Sequence, residues 1–203
     1  MVLRKVAVPV LVLVLFSAVA AAETDTFISS ADADIWEYSP DTNRGSEQYF
    51  QVGCCGSGFW RNSLVEFDLV PISGATVHSA VIRLMVVDAW GDFPTDEIFI
   101  ARNGSAWDEM TVTWNSQPGM AETEPIGAPS SYGWWEIDVT PWVQDMVFGI
   151  LPNHGFHIFQ NDKDYAGFTM RTREGTESPE LVVDYTPVNL QNTTFGSIKA
   201  LFR

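Results

Sequence analysis

The chain has 203 residues, with 26 acidic against 11 basic side chains and a formal charge of −15 at pH 7. That balance argues against nucleic acid as a partner, because affinity for phosphates comes from clustered Lys and Arg. The length suits one domain with a sizeable core.

Met1-Val-Leu-Arg-Lys5 carries two positive charges, Val6 to Phe16 runs apolar, and Ala18 to Ala22 offers a small-residue cleavage site before Glu23. This predicts a signal peptide over residues 1–22 rather than a membrane span, since the apolar run falls short of the ~20 residues needed to cross a bilayer. Loss of Arg4 and Lys5 with the leader takes the formal charge from −15 to −17. The mature product is expected to be secreted or extracellular, with no later stretch apolar enough to span. Its negative charge repels polyanions at long range, although arginine pairs can overcome this within a Debye length of ~8 Å. Neutral or weakly charged glycans are therefore favoured among sugar polymers.

Asp25-Thr26-Phe27-Ile28 reads as an opening strand, followed by the loop Pro40-Asp-Thr-Asn-Arg-Gly45 and a second strand, Tyr49-Phe-Gln-Val-Gly53. Cys54 and Cys55 are adjacent, in an exported chain where disulfides persist. Neighbouring Cα atoms lie about 3.8 Å apart, below the usual span of about 4.4–6.8 Å for a disulfide, so a vicinal bond would be strained. A strained vicinal disulfide, two thiols, and links to another chain all stay open. Two thiols alone do not make a four-ligand zinc site.

In Arg61-Asn-Ser-Leu-Val-Glu-Phe-Asp-Leu69, Val65, Phe67 and Leu69 alternate with Leu64, Glu66 and Asp68, as a strand with one buried face requires. Val77 to Val87 is apolar on both faces and reads as central. Residues 97–102, 110–114, 133–138, 155–160, 167–172 and 180–185 complete about nine strands, with Gly, Pro, Asn and Asp clustered between them. Many short strands without alternating helices predict an all-β, antiparallel, jelly-roll-like sandwich. One short helix is expected from Thr140 to Phe148, with Thr140 as N-cap, Pro141 at the first helical position and Gly149 at the end. Beyond a domain over 23–187, the segment 188–203 reads either as a frayed terminus or as a sorting or surface-attachment tail, with Phe195, Ile198, Leu201 and Phe202 on one helical face.

Several strings recur in a fixed order. After the Asp-Thr strand, the Pro-Asp-Thr-Asn-x-Gly loop and the Phe-Asp-Leu strand come Trp107-Asp-Glu-Met-Thr-Val-Thr-Trp114, Trp135-Glu-Ile-Asp-Val-Thr140, Arg171-Thr-Arg-Glu174 and Leu181-Val-Val-Asp-Tyr185. Over about Asp25 to Thr186 the chain resembles the DNRLRE domain, also described as carbohydrate-binding module family 96 and related to repeats of archaeal disaggregatase. The resemblance implies a jelly-roll-like sandwich that binds polysaccharide or cell-wall glycan, without catalytic apparatus.

The eight tryptophans fall into two pools. Trp107, Trp114 and Trp142 lie at apolar-facing positions and read as structural, whereas Trp36, Tyr38, Trp60, Trp90 and Phe93 fall in loops or at strand ends. Exposed aromatics are unfavourable to keep without use, and a pyranose face stacks on an indole, so these five are the candidate platform. Only one of Trp134 and Trp135 can point inward; the other is a further candidate. Arg171 and Arg173, two apart on a strand, are expected to share a face and fork onto a uronate or sugar hydroxyls, or else to pair with Glu174, Asp162 or Asp164. Arg44 and Arg61 carry the same two readings. Asp25 and Asp184, in first and last strands that often neighbour each other, are candidate ligands for a structural calcium; no Asp-x-Asp-x-Asp-Gly loop accompanies them. Asp32 and Asp34 alternate similarly but read as loop solvation.

Catalysis has little footing. His78, His154 and His157 form no His-Glu-x-x-His motif, and no Gly-x-Ser-x-Gly elbow or phosphate loop occurs. A glycosidase carboxylate pair or a Lys or Tyr lyase centre beside an Arg is the rival class, and an adhesive surface brick a third. A sugar binder should show aromatics beside polar side chains on one face; a brick, an apolar patch; an enzyme, a deep pocket with shifted pKa values.

Overall fold

The computed structural model describes residues 21–91, 98–161 and 165–188. Residues 1–20 of the leader, Phe93, Asp162, Asp164 and the tail from 189 onward lie outside the described residues.

The described residues form ten strands and one α-helix: β1 (Glu23–Trp36), β2 (Tyr49–Cys54), β3 (Arg61–Phe67), β4 (Thr76–Trp90), β5 (Ile98–Asn103), β6 (Met120–Pro125), β7 (Gly133–Asp138), α1 (Thr140–Val147), β8 (Phe156–Gln160), β9 (Ala166–Arg171) and β10 (Glu180–Thr186). Every pairing is antiparallel. The sandwich-like all-β architecture expected from alternation is present, and its strands close on themselves in the order β1-β10-β4-β9-β2-β3, with β1 returning to β3.

Closure depends on two long strands that change partners. The first part of β1, to Ile28, pairs with β10, and from Ser29 on the strand pairs with β3, with a bulge between Ser29 and Ala31. Along one edge of β4, β10 and β9 lie end to end, while β7 occupies the other edge. Bulges bend a strand and sharpen its twist, which lets one strand serve two sheets.

Within the ring, Phe50, Val52, Val65, Phe67, Ile82, Leu84, Phe156, Phe168, Met170 and Leu181 form the main core, and α1 closes it with Trp142, Val143, Met146 and Val147. Trp142 is thus core, as expected. Thr140 is not the N-cap, which is Val139; the Thr140 hydroxyl donates to Asp138 Oδ1 at 2.6 Å and accepts from the Ala80 amide at 2.9 Å, tying the helix start to β4. A second, smaller core lies on the other face of β1 and β3, where Ala33, Ile35 and Leu64 meet Val112 beneath Trp107 and Trp114. The segment 110–114, expected as a strand, is instead a turn leading into a 3-10 helix at Trp114–Ser116, laid over that face as a cover. His157, opposite Leu64, is wholly buried, and desolvation pushes its imidazole down to about 4, so it is neutral at physiological pH.

Candidate functional site

β2 meets β3 at a single pair, Gly53 with Arg61, and then diverges from it. Side chains bridge the wedge: Ser63 Oγ donates to the Gln51 carbonyl (3.0 Å) and the Gln51 amide donates to Asp34 Oδ1 (3.2 Å). Over this opening lies a depression of about 520 Å³ lined by Asp34, Arg44, Glu47, Tyr49, Gln51, Arg61, Val87, Asp88, Thr169 and Arg171. A neighbouring depression of about 200 Å³ shares Gln51 and Arg61 and adds Trp36, Cys55, Phe59, Trp90 and Tyr165. The two form one open groove with a charged end and an aromatic end.

Asp34 anchors the charged end. Its side chain is nearly inaccessible, and Arg61 Nη1 donates to its Oδ2 at 3.2 Å while Arg44 Nε stands 3.9 Å away. Arg61 also donates to Gln51 Oε1. Burial pushes the Asp34 carboxyl up to about 6, with the two guanidiniums opposing that rise. Arg171 Nη1 donates to Tyr49 Oη at 2.7 Å, and its guanidinium lies over the Tyr49 ring.

The aromatic end is a column. Arg61 lies over Trp36 with its Cζ 4.0 Å from the ring centroid and Arg44 at 5.0 Å; Trp36 contacts Tyr38 at 5.1 Å, and Tyr38 stacks on Phe59 at 5.0 Å. Trp36 is therefore sandwiched, whereas Tyr38 and Phe59 are exposed. Trp90 packs against the paired glycines Gly53 and Gly167: a Cβ at Gly167 would come within 2.0 Å of Trp90 Cζ2, and one at Gly53 within 2.7 Å. Gly167→Ala should accordingly cost about 1–3 kcal/mol of stability by overpacking. In a Trp90→Ala background the same change should cost almost nothing in urea unfolding, and equal losses in both backgrounds would show that the indole is not what the glycine accommodates.

The structure thus gathers Trp36, Arg44, Arg61, Trp90 and Arg171 around one groove, with Tyr38 lining neither depression but packed against Trp36 and Phe59. Trp60 lines neither depression; its backbone is tied to Glu37 instead. Of the tryptophan pair in β7, Trp135 packs edge-on against Phe168 in the core and Trp134 faces outward beneath Arg83. Of the residues that line the groove, the sequence analysis marks none of Asp34, Glu47, Tyr49, Gln51, Phe59, Val87, Asp88, Tyr165 and Thr169 as a site residue. Period-two alternation continued from Asp25 through Trp36 would have placed Asp34 on a strand.

Arg171 and Arg173 do not share a face. β9 ends at Arg171, and in the turn that follows Arg173 forks onto both oxygens of Glu109 and approaches Glu174 at 3.3 Å. Its amide donates to Asp32 Oδ2 (3.0 Å), which also accepts from Ser29 Oγ (2.8 Å). Burial raises the Asp32 carboxyl to about 7. Carboxylate oxygens of Asp32, Glu109 and Glu174 all lie within 4.8 Å of one another. This trio does not suit a calcium ion, because the Arg173 guanidinium occupies both Glu109 oxygens. Nor do Asp25 and Asp184 suit one: Asp25 stands opposite Val183 and Asp184 opposite Thr24, so adjacent positions send the two carboxylates to opposite faces of the sheet.

The adjacent cysteines divide in the same way. Cys54 turns inward, its Sγ bonded to the Gly56 backbone, and Cys55 faces out into the aromatic depression.

The family model of carbohydrate-binding module family 96 matches residues 21–185. The chain belongs to that family. No curated protein sequence matches the chain at a significant level. Membership makes carbohydrate recognition the function to be located on this fold, and among the described residues no helix is long and apolar enough to cross a membrane. Within this family-96 module the strings Trp107-Asp-Glu and Arg173-Glu174 meet as the Glu109–Arg173 pair, so they hold the scaffold while the groove lies apart from them.

Proposed function

We propose that the chain is an exported, noncatalytic module that grips polysaccharide in the groove between Trp90 and Arg171. One observation carries this reading: exposed aromatic rings and a fixed set of arginine, carboxylate and amide groups converge on a single open surface. Apolar faces of pyranose rings stack on aromatics, while their hydroxyls need donors and acceptors in fixed positions. The leader-like sequence of residues 1–22 supports export. Tyr49 beside Arg171 gives cleavage by elimination a foothold, yet the groove is open and Asp34 already accepts from the Gln51 amide and from Arg61.

The test is a retention screen of the chain from Glu23 to Pro187 against soluble neutral and uronate polysaccharides, with polymer length checked afterwards. Retention with uncut polymer supports the reading; shortened polymer favours the enzyme, and no retention on any polymer refutes it. For a retained polymer, Trp90→Ala should weaken binding by roughly 1–3 kcal/mol, the scale of an aromatic hot spot.

A further inference from the structure

We propose that the glycan track does not stop at the groove but crosses the outer face of β9 and β4 to a second aromatic subsite at Trp134; this rests on the carbohydrate-binding reading above. The strand register carries the inference. Tyr49 of β2 stands opposite Arg171 of β9, and Met85 of β4 stands opposite Trp134 of β7. Val86 pairs with Met170, so continuing that register by one residue sets Arg171 beside Met85. Val86 and Met170 are fully buried in the core, and their sequence neighbours Met85 and Arg171 therefore project outward.

The result is a transverse row, Tyr49, Arg171, Met85, Trp134, on the solvent face of four adjacent strands. Strand spacings of about 4.7–4.9 Å make the row roughly 14–15 Å long from first to last backbone. An arginine lies over the aromatic ring at each end, Arg171 over Tyr49 and Arg83 over Trp134 at 4.6 Å. Arg83 is held there by Glu180 at 2.8 Å and Glu136 at 3.4 Å, which fixes the indole's surroundings without ligand. Among the described residues no other ring stacks on Trp134. Val87, next along β4, already lines the groove, so the row is continuous with it. A short fragment would fill the groove alone, whereas a long chain would reach Trp134 as well.

The chain from Glu23 to Pro187, as wild type, Trp134→Ala and Trp134→Tyr, is titrated with short (di- and trisaccharide) and long (hexasaccharide and above) fragments of the polymer retained in the screen. Wild-type affinity should rise with length; Trp134→Ala should lose roughly tenfold on the long fragments and nothing on the short ones, with Trp134→Tyr restoring most of the loss. Equal affinities of wild type and Trp134→Ala at both lengths would overturn the inference while leaving the groove reading intact. An equal loss at both lengths, accompanied by a lowered melting temperature, would also overturn it by making Trp134 structural. If Trp90→Ala binds normally as well, the groove reading falls with it.

Discussion

Arg173→Met should lower the stability of the fold by about 3 kcal/mol, the low end of the range for breaking a buried ion pair. The low end applies because the Arg173 side chain is 37% exposed, whereas that of Glu109 is only 8% exposed. The cost arises on the Glu109 side. Without the guanidinium its charge stays buried beside Asp32, with the Asp32 amide still donating to Oε1. For a domain of this size the loss corresponds to a fall in melting temperature of about 6–12 °C. The double variant Glu109→Met with Arg173→Met should recover much of it, since replacing both members of a buried pair by apolar groups is often neutral. Urea unfolding of the wild type and the two variants would decide, and an unchanged midpoint for Arg173→Met would show the pair to be inert. The effect is expected to be global. Glu109 belongs to the cover over the second core, Asp32 to β1 and Arg173 to the turn between β9 and β10, and Asn43 Nδ2 donates to both the Glu109 and Val112 carbonyls from the loop before β2.

The same cluster shows where sequence reading reaches its limit. β3 announces itself by the alternation around Val65 and Phe67 and β4 by its long apolar run, and the resemblance over Asp25 to Thr186 supplies the rest of the architecture. β6 was invisible because all six residues of Met120–Pro125 are exposed, so no apolar alternation marks it. Residues 110–114 misled for the opposite reason: Thr-Val-Thr-Trp has strand composition, but Asp108 accepts from the Met110 amide and starts a turn. In the site, aromatics in loops were legible because packing demands them less. The arginine pair was misread because period two holds only while the strand lasts, and β9 ends at Arg171. Asp34 was missed because a charge in Ala-Asp-Ala-Asp suggests loop, and its partners Arg44, Gln51 and Arg61 come from elements that sequence distance alone does not bring together.

That missed residue supports the second large prediction, Asp34→Asn. The wild-type carboxyl has a folded pKa raised from the ordinary 3.8 to about 6. A raised folded pKa contributes stability that is fully present below about pH 3.8 and is lost as pH rises through about 6. That rise makes the loss about 3 kcal/mol. Asparagine does not titrate, so between pH 4 and pH 7 the stability of Asp34→Asn relative to wild type should rise by about that amount. Asp32, raised in the same direction, and His157, depressed and acting with the opposite sign, are common to both chains and cancel in the difference. At neutral pH the charged form is thus a local cost that the site retains, and its surroundings say for what use. Arg61 and Arg44 face it from β3 and the loop before β2, Glu47 from that same loop opposes it, and the Gln51 amide bonds it from β2. With the charge removed, the two guanidiniums lose the anion that holds them over Trp36, and polysaccharide binding at pH 7 should weaken even as the fold strengthens. Such a trade between stability and function is what a preorganised site predicts. Parallel pH profiles for the two chains in urea unfolding would refute the electrostatic account of Asp34. Undiminished binding by Asp34→Asn would instead show that the guanidiniums hold their places over Trp36 by stacking alone.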